Sequence, residues 1–236
     1  MLIATCFDSG SPKTAATVVA LDGGRFRFLW GRRFRLGGGF YASGQLFPDF
    51  GDDTLDMLLD DAKLAGGIVG IEHLVGFAYE AKRVAYLLET RDVQGQILHA
   101  CRVRGLVPHV TSAPEWRGEF CRTAGPSNEQ IAIVLEGAVV GIPPLHHEDR
   151  EHIYDAGGLC VVELCRAAHL PIPRSPEVET KLYRQQQLDK AQRAAKRAKR
   201  EAGELAPEKR RPSGAMSARR AAGAKKGWET RRGVTE

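Results

Sequence analysis

The sequence predicts an α/β fold: a mixed five-stranded sheet flanked by helices, with a basic C-terminal extension that is largely helical or disordered. Three observations carry this expectation. The chain opens with three short strand-like segments separated by turns, helical and strand-like periods then alternate, and the charge changes sign near Pro173.

The opening strands are "LIATCF", "AATVVAL" and "RFRFLW", separated by the turn-rich "DSGSPKT" and the tight "DGG", which is the pattern of an antiparallel meander. "DDTLDMLLDDAKLA" places Leu55, Leu58, Leu59 and Ala62 at helical spacing. "GGIVGIEHL" is a continuous apolar run, as expected of a strand covered on both faces, and Glu72 stands at its end. A long helix is predicted from about Tyr79 to Arg104, then the strand "LVPHVTS", a short helix opening at Pro114, and a further helix from Ser127 to Val140. The last core helix spans Asp149 to Ala168, and "LPIPRSPE" closes the domain. The division is therefore residues 1–173 for the globular domain and 174–236 for the extension. In the extension, "ETKLYRQQQLDKAQRAAKRAKREAGE" has strong helix formers with only Leu182, Tyr183 and Leu188 as apolar anchors, the pattern of a solvated helix. From Leu205 onward, Pro, Gly, Ala and basic residues predominate, which predicts disorder without a partner.

Composition narrows the function classes. A chain of 236 residues with 43% hydrophobic content holds one main domain plus an appendage. No apolar run approaches the roughly 18 residues of a membrane span, and Asp8 interrupts "MLIATCFD" before it can act as a signal sequence. A soluble, cytoplasmic protein is expected, nucleoid-associated or viral. Cys6, Cys101, Cys121, Cys160 and Cys165 lack the C-x-x-C spacing of a zinc site and are expected to be small buried thiols. Residues 1–173 carry 16 Lys+Arg and 21 Asp+Glu, a balance of −5, whereas residues 174–236 carry 18 and 8, a balance of +10. An acidic body with a basic tail points to a polyanionic partner, and nucleic acid fits better than membrane because the tail lacks a strong apolar face.

The candidate chemistry lies in carboxylates at element ends. Asp8 ends the first strand and Glu72 the fourth, where a sheet presents side chains to the ligand crevice. If those strands are neighbours, the two anions raise each other's pKa unless a cation lies between them. "HIYDAGGLCVVELC" adds His152 and Asp155, which share a helix face at i, i+3. Three oxygen donors and one imidazole suit Mg²⁺ or Mn²⁺ better than structural zinc.

At this point the sequence resembles the RuvC-type Holliday junction resolvases of the RNase H-like nuclease superfamily. The resemblance runs from Met1 to about Ala168, through "FDSGSPKTA", "VGIEHL", "GQILHACRVRGLVPHVTSAPEWR", "GPSNEQIAIVLEGAV" and the closing "HIYDAGGLCVV". It implies an RNase H-like fold in which Asp8, Glu72 and Asp155 bind metal, with His152 as a fourth ligand or an aid to the attacking water. Other members have an acid where His152 stands. The family's basic residue after the fifth strand has no counterpart in "GPSNEQ", and Arg117 or Arg122 is the substitute. Phe77 is the candidate for the family's aromatic wedge. The implied activity is crossover junction endodeoxyribonuclease: hydrolysis with two Mg²⁺ (or Mn²⁺) ions per site, about 3.5 to 4 Å apart, leaving a 5′ phosphate and a 3′ hydroxyl. Paired symmetric nicks in a four-way junction require two active sites and hence a homodimer. No nucleotide cofactor or membrane is implied.

Each feature also has a plainer explanation. "DSGSPKT" has the composition of a simple turn, and Glu148, Asp149 and Glu151 make His152 and Asp155 part of an acidic helix start. The set as a whole favours function, because one fold brings the separate positions together. An actin-like ATPase shares the Asp-x-Gly opening but needs two such domains, more than about 170 residues provide. A nuclease cutting RNA/DNA hybrids or other branched DNA, or a non-catalytic DNA-binding protein of the same fold, stands as the alternative. In the tail, Arg210, Arg211, Arg219, Arg220, Lys225, Lys226, Arg231 and Arg232 are spaced with small residues and Trp228, which suits phosphate contacts with base stacking; a merely solubilising charge run is the plainer view.

Overall fold

A computed structural model describes residues 1–9, 14–34, 53–73 and 81–201. Two compact units result, Met1–Asp189 and Lys190–Glu236. Among the described residues, six strands form one sheet in the order β5-β4-β1-β2-β3-β6. The meander is β1 (Leu2–Asp8), β2 (Thr14–Asp22) and β3 (Arg25–Phe34), paired antiparallel. β4 (Ile68–His73) lies parallel to β1, and β5 (His109–Ser112) parallel to β4. The alternation of buried apolar residues on these strands serves two helical layers. Phe7, Val69 and Ile71 face α1 (Thr54–Leu64) and α2 (Ala81–Val103), packing with Leu58, Leu59, Val93 and Ile97. Ala4, Cys6 and Val19 face α3 (Ala113–Cys121), α4 (Asn128–Ala138) and α5 (His147–Ala168).

The sixth strand was not anticipated. β6 (Val139–Val140) pairs parallel with Phe26 and Arg27 of β3, where the sequence predicts the end of a helix reaching Val140. Two β-branched residues are indistinguishable from a helix C-terminus by period alone, and only the pairing partner decides. The compact unit also runs past Pro173. α6 (Pro176–Glu201) buries Val178 and Leu182 in the first core, while Tyr183 and Leu188 are exposed. Its last turns belong to the second unit, where Arg197 pairs with Glu201 at 2.9 Å.

α5 organises the domain. Every residue from Ile153 to Cys165 is buried, as expected of a helix enclosed on all sides. Gly157 and Gly158 cost helix propensity, about 1 kcal/mol each, but allow close approach. A Cβ at Gly158 would lie 2.7 Å from Trp116 Cζ3, and one at Gly157 would lie 3.2 Å from Leu135. The helix is registered on the sheet by Thr17 Oγ1, which donates to the Ile153 carbonyl at 2.9 Å. Its one deeply buried acid away from the sheet's crevice, Glu163, is fully partnered: it accepts from Thr111 and Arg166 and lies 2.7 Å from His109 Nδ1. All five cysteines are free and buried, as the sequence predicts.

Candidate functional site

Parallel pairing of β1 with β4 sets Phe7 opposite Ile71, so the next residues, Asp8 and Glu72, emerge side by side at the strand ends. Each is 8% exposed, and each continues the face that meets α5. His152 and Asp155, one turn apart near the start of α5, meet them from above. His152 Nδ1 donates to Asp8 Oδ2 at 2.7 Å. Asp155 is 3% exposed and takes Arg117 NH2 on Oδ2 at 2.5 Å.

Residues outside the predicted set complete the surroundings. Trp116 Nε1 donates to Glu72 Oε2 at 2.9 Å, so adjacent residues of α3 hold two different carboxylates. The guanidinium of Arg117 lies 5.5 Å from the Trp116 ring centroid. The Glu72 backbone is fixed as well, because its carbonyl accepts from Ser9 Oγ at 2.9 Å and Gln94 Nε2 at 2.8 Å. On the other side, Arg33 of β3 donates to the Glu148 carbonyl and Asp149 Oδ1, tying the sheet to the first turn of α5. A cavity of about 450 Å³ between α4 and α5, lined by Glu136, Arg150, Tyr154 and others, reaches Asp155.

Electrostatics follow from this crowding. Burial first, and the charge of Asp8 second, push the Glu72 carboxyl up to about 7, against the pull of Arg117, Trp116 and His152. Burial also holds the Asp155 carboxyl well above the usual carboxylate range; Arg117 opposes this, and Asp8, Glu72 and Glu151 add to it. The hydrogen bond to Asp8 raises His152, while burial and Arg33 oppose.

Comparison with solved structures identifies the architecture. Thermus thermophilus RuvC in complex with a Holliday junction substrate matches with a TM-score of 0.55 at 16% identity, covering 72% of this chain and 96% of that one. A second Thermus thermophilus RuvC structure matches with a TM-score of 0.53 at 17% identity, covering 71% and 96%. The fold is RuvC-like. No family model matches the sequence, and no curated protein matches it.

Within this RuvC-like fold, the four predicted residues Asp8, Glu72, His152 and Asp155 come together. Their chemistry fits divalent cations: buried carboxylates that raise one another are a deficit of positive charge, and oxygen donors with one imidazole suit a hard ion. Among the described residues no three such side chains are already gathered into a coordination cage. Asp8, Glu72 and Asp155 each have an oxygen engaged by a neighbour instead, in His152, Trp116 and Arg117 respectively. Arg117 thus reaches the site. Arg122 does not pair there: it ends α3 in a left-handed conformation, 62% exposed, with Glu179 Oε1 3.9 Å away. Phe77 and the tail residues Arg210, Arg211, Arg219, Arg220, Lys225, Lys226, Trp228, Arg231 and Arg232 lie outside the described residues.

Trp116, Ser9 and Gln94 escaped sequence reasoning because none carries charge. The one signal for Trp116 is its place beside Arg117 just after the proline that opens α3.

Proposed function

We propose that the protein is a metal-dependent, structure-selective DNA endonuclease that resolves four-way junctions by paired hydrolysis of phosphodiesters. The observation that carries this reading is the convergence of Asp8, Glu72, Asp155 and His152 at the ends of β1 and β4 on a RuvC-like scaffold. The neighbouring Thermus thermophilus protein was solved on a Holliday junction, which favours branched DNA over a hybrid duplex as the substrate here.

Asp8, Glu72 and Asp155 are the residues that would hold two Mg²⁺ ions, with Mn²⁺ as a substitute, and His152 is the fourth candidate ligand. When bound, such ions supply a nucleophilic water at neutral pH and neutralise charge on the scissile phosphate and leaving oxygen. The chain's own residues do the rest. Asp8 fixes the His152 ring by accepting from Nδ1 and raises its basicity, so that Nε2, in the neutral form of the ring, is left as an acceptor that would orient or deprotonate water. Trp116 orients Glu72 from below through Oε2, and Ser9 with Gln94 immobilises the strand end that carries it. Such positioning by rigid elements matters because displacement of about 1 Å costs roughly 10²-fold in rate. The basic tail would tether DNA through phosphate contacts, and two protomers would cut the two strands of one junction.

The test is cleavage of a labelled four-way junction, a matched duplex and an RNA/DNA hybrid by the wild type and Asp8→Asn, with Mg²⁺ or EDTA. Paired symmetric nicks in the junction alone, abolished by EDTA and by the substitution, are expected. Junction binding without any cut under all conditions would leave a DNA-binding protein and refute the catalytic reading.

A further inference from the structure

Arg117 occupies an unusual position for a structural arginine. Its guanidinium meets Asp155 through NH2 alone, at 2.5 Å, and its Nε is buried with no hydrogen-bond partner. Bidentate pairing is the geometry that normally makes an arginine a permanent staple. Arg166, farther along α5, is held at every nitrogen instead: Nη1 donates to Glu163 and Thr111, Nη2 to Glu119 and Glu115, and Nε to Glu119. Arg117 has one acid contact in a cluster of three buried acids. Its side chain is 26% exposed, whereas that of Asp155 is 4% exposed, so the cation has a route to solvent that the carboxylate lacks. The Trp116 ring, 5.5 Å from the guanidinium, gives the cation a contact that requires no carboxylate.

We infer that Arg117 is the resident counter-ion of the carboxylate cluster and that it leaves Asp155 when a divalent cation binds. The inference rests on the proposed metal site and adds a regulation of it. A buried carboxylate without a partner is costly, so a cation in the site keeps the metal-free protein folded. A guanidinium and a divalent ion on one carboxylate repel each other, so the two compete. Metal affinity is thereby set below what the acids alone would give, and the arginine is released only in the loaded site.

The experiment is calorimetric titration of the full-length, chelator-treated protein with Mn²⁺, alongside thermal unfolding of the same samples. The variants are Arg117→Gln, Arg117→Met, Arg117→Lys and Glu72→Gln. Arg117→Gln and Arg117→Met should melt earlier without metal and bind Mn²⁺ about tenfold more tightly or better. Arg117→Lys, which keeps the charge, should bind as the wild type does. Gln retains a hydrogen-bond donor to Asp155, so it provides the measurement if Arg117→Met does not fold. Unchanged or weaker Mn²⁺ binding by folded Arg117→Gln, with wild-type binding intact and lost in Glu72→Gln, would overturn the counter-ion role alone. Absence of Mn²⁺ binding by the folded wild type would overturn the metal site and the counter-ion role together.

Discussion

Glu72→Gln should stabilise the metal-free protein, and the size of the gain should depend on pH. Glu72 carries its carboxyl from an ordinary 4.5 up to about 7 in the folded chain. An acid raised on folding binds its proton more tightly in the native state, so stability falls as pH rises from 4.5 to 7 and stays reduced above that range. The full penalty corresponds to about 3 kcal/mol. Glutamine removes the charge and can still accept from Trp116 Nε1, the contact that now lies at 2.9 Å. Urea unfolding in EDTA should therefore show the variant more stable than wild type by about 3 kcal/mol at pH 8.5 and nearly equal at pH 4.5. For a domain of this size, the alkaline difference corresponds to a rise in Tm of about 6–12 °C. Saturating Mg²⁺ should reverse the order, because only the wild type keeps the full ligand set and gains binding free energy. A variant no more stable than wild type at pH 8.5 in EDTA would refute the premise that Asp8 and burial strain the Glu72 carboxylate.

Other perturbations separate the roles of neighbouring residues. His152→Ala should lower the junction cleavage rate by about 10²–10⁴, while His152→Asp, the acid form, should stay within roughly tenfold of wild type if the position mainly serves the metal; single-turnover kinetics at saturating Mg²⁺ distinguish them. Gly158→Ala places a methyl 2.7 Å from Trp116 Cζ3, which should destabilise the domain by about 1–3 kcal/mol and slow cleavage by tilting the indole away from Glu72; a fully stable, fully active variant would contradict this packing. Deleting residues 205–236 should flatten the salt dependence of DNA binding, from a log–log slope of about −5 if six tail cations contact phosphates, while leaving Mg²⁺-dependent nicking intact; filter binding across a salt series measures both slopes.

The legible part of the site is the part written in charge and in strand or helix position. Asp8 and Glu72 stand out because they end apolar strands, and β1–β4 pairing then makes them neighbours. His152 and Asp155 stand out because they sit at i, i+3 at the head of a largely apolar run, which is buried from Ile153 through Cys165. Trp116 looks like any core aromatic until α3 is docked, since its contact with Glu72 spans 44 residues of sequence and nothing local encodes it. β6 escaped for a related reason: two residues gain their strand identity from Phe26 and Arg27, far away in the chain.

Arg117 is named by the sequence as a substitute phosphate clamp, and the sequence does not show its partner in the fold. The resemblance to RuvC-type resolvases implies a basic residue after the fifth strand, and Arg117 is a candidate for it. In the folded chain its partner is Asp155, an anion of the protein itself. The two roles are compatible on the proposed function, because a site that is to receive divalent cations must be anionic before they arrive. Three buried acids with no cation would oppose folding, and the groups that offset them are one each of imidazole, indole and guanidinium, from His152, Trp116 and Arg117. The indole cannot be displaced without repacking against Gly158, whereas the guanidinium can turn toward solvent. On the proposed metal site, Arg117 is therefore the one of the three whose movement would couple metal binding to contact with a phosphate.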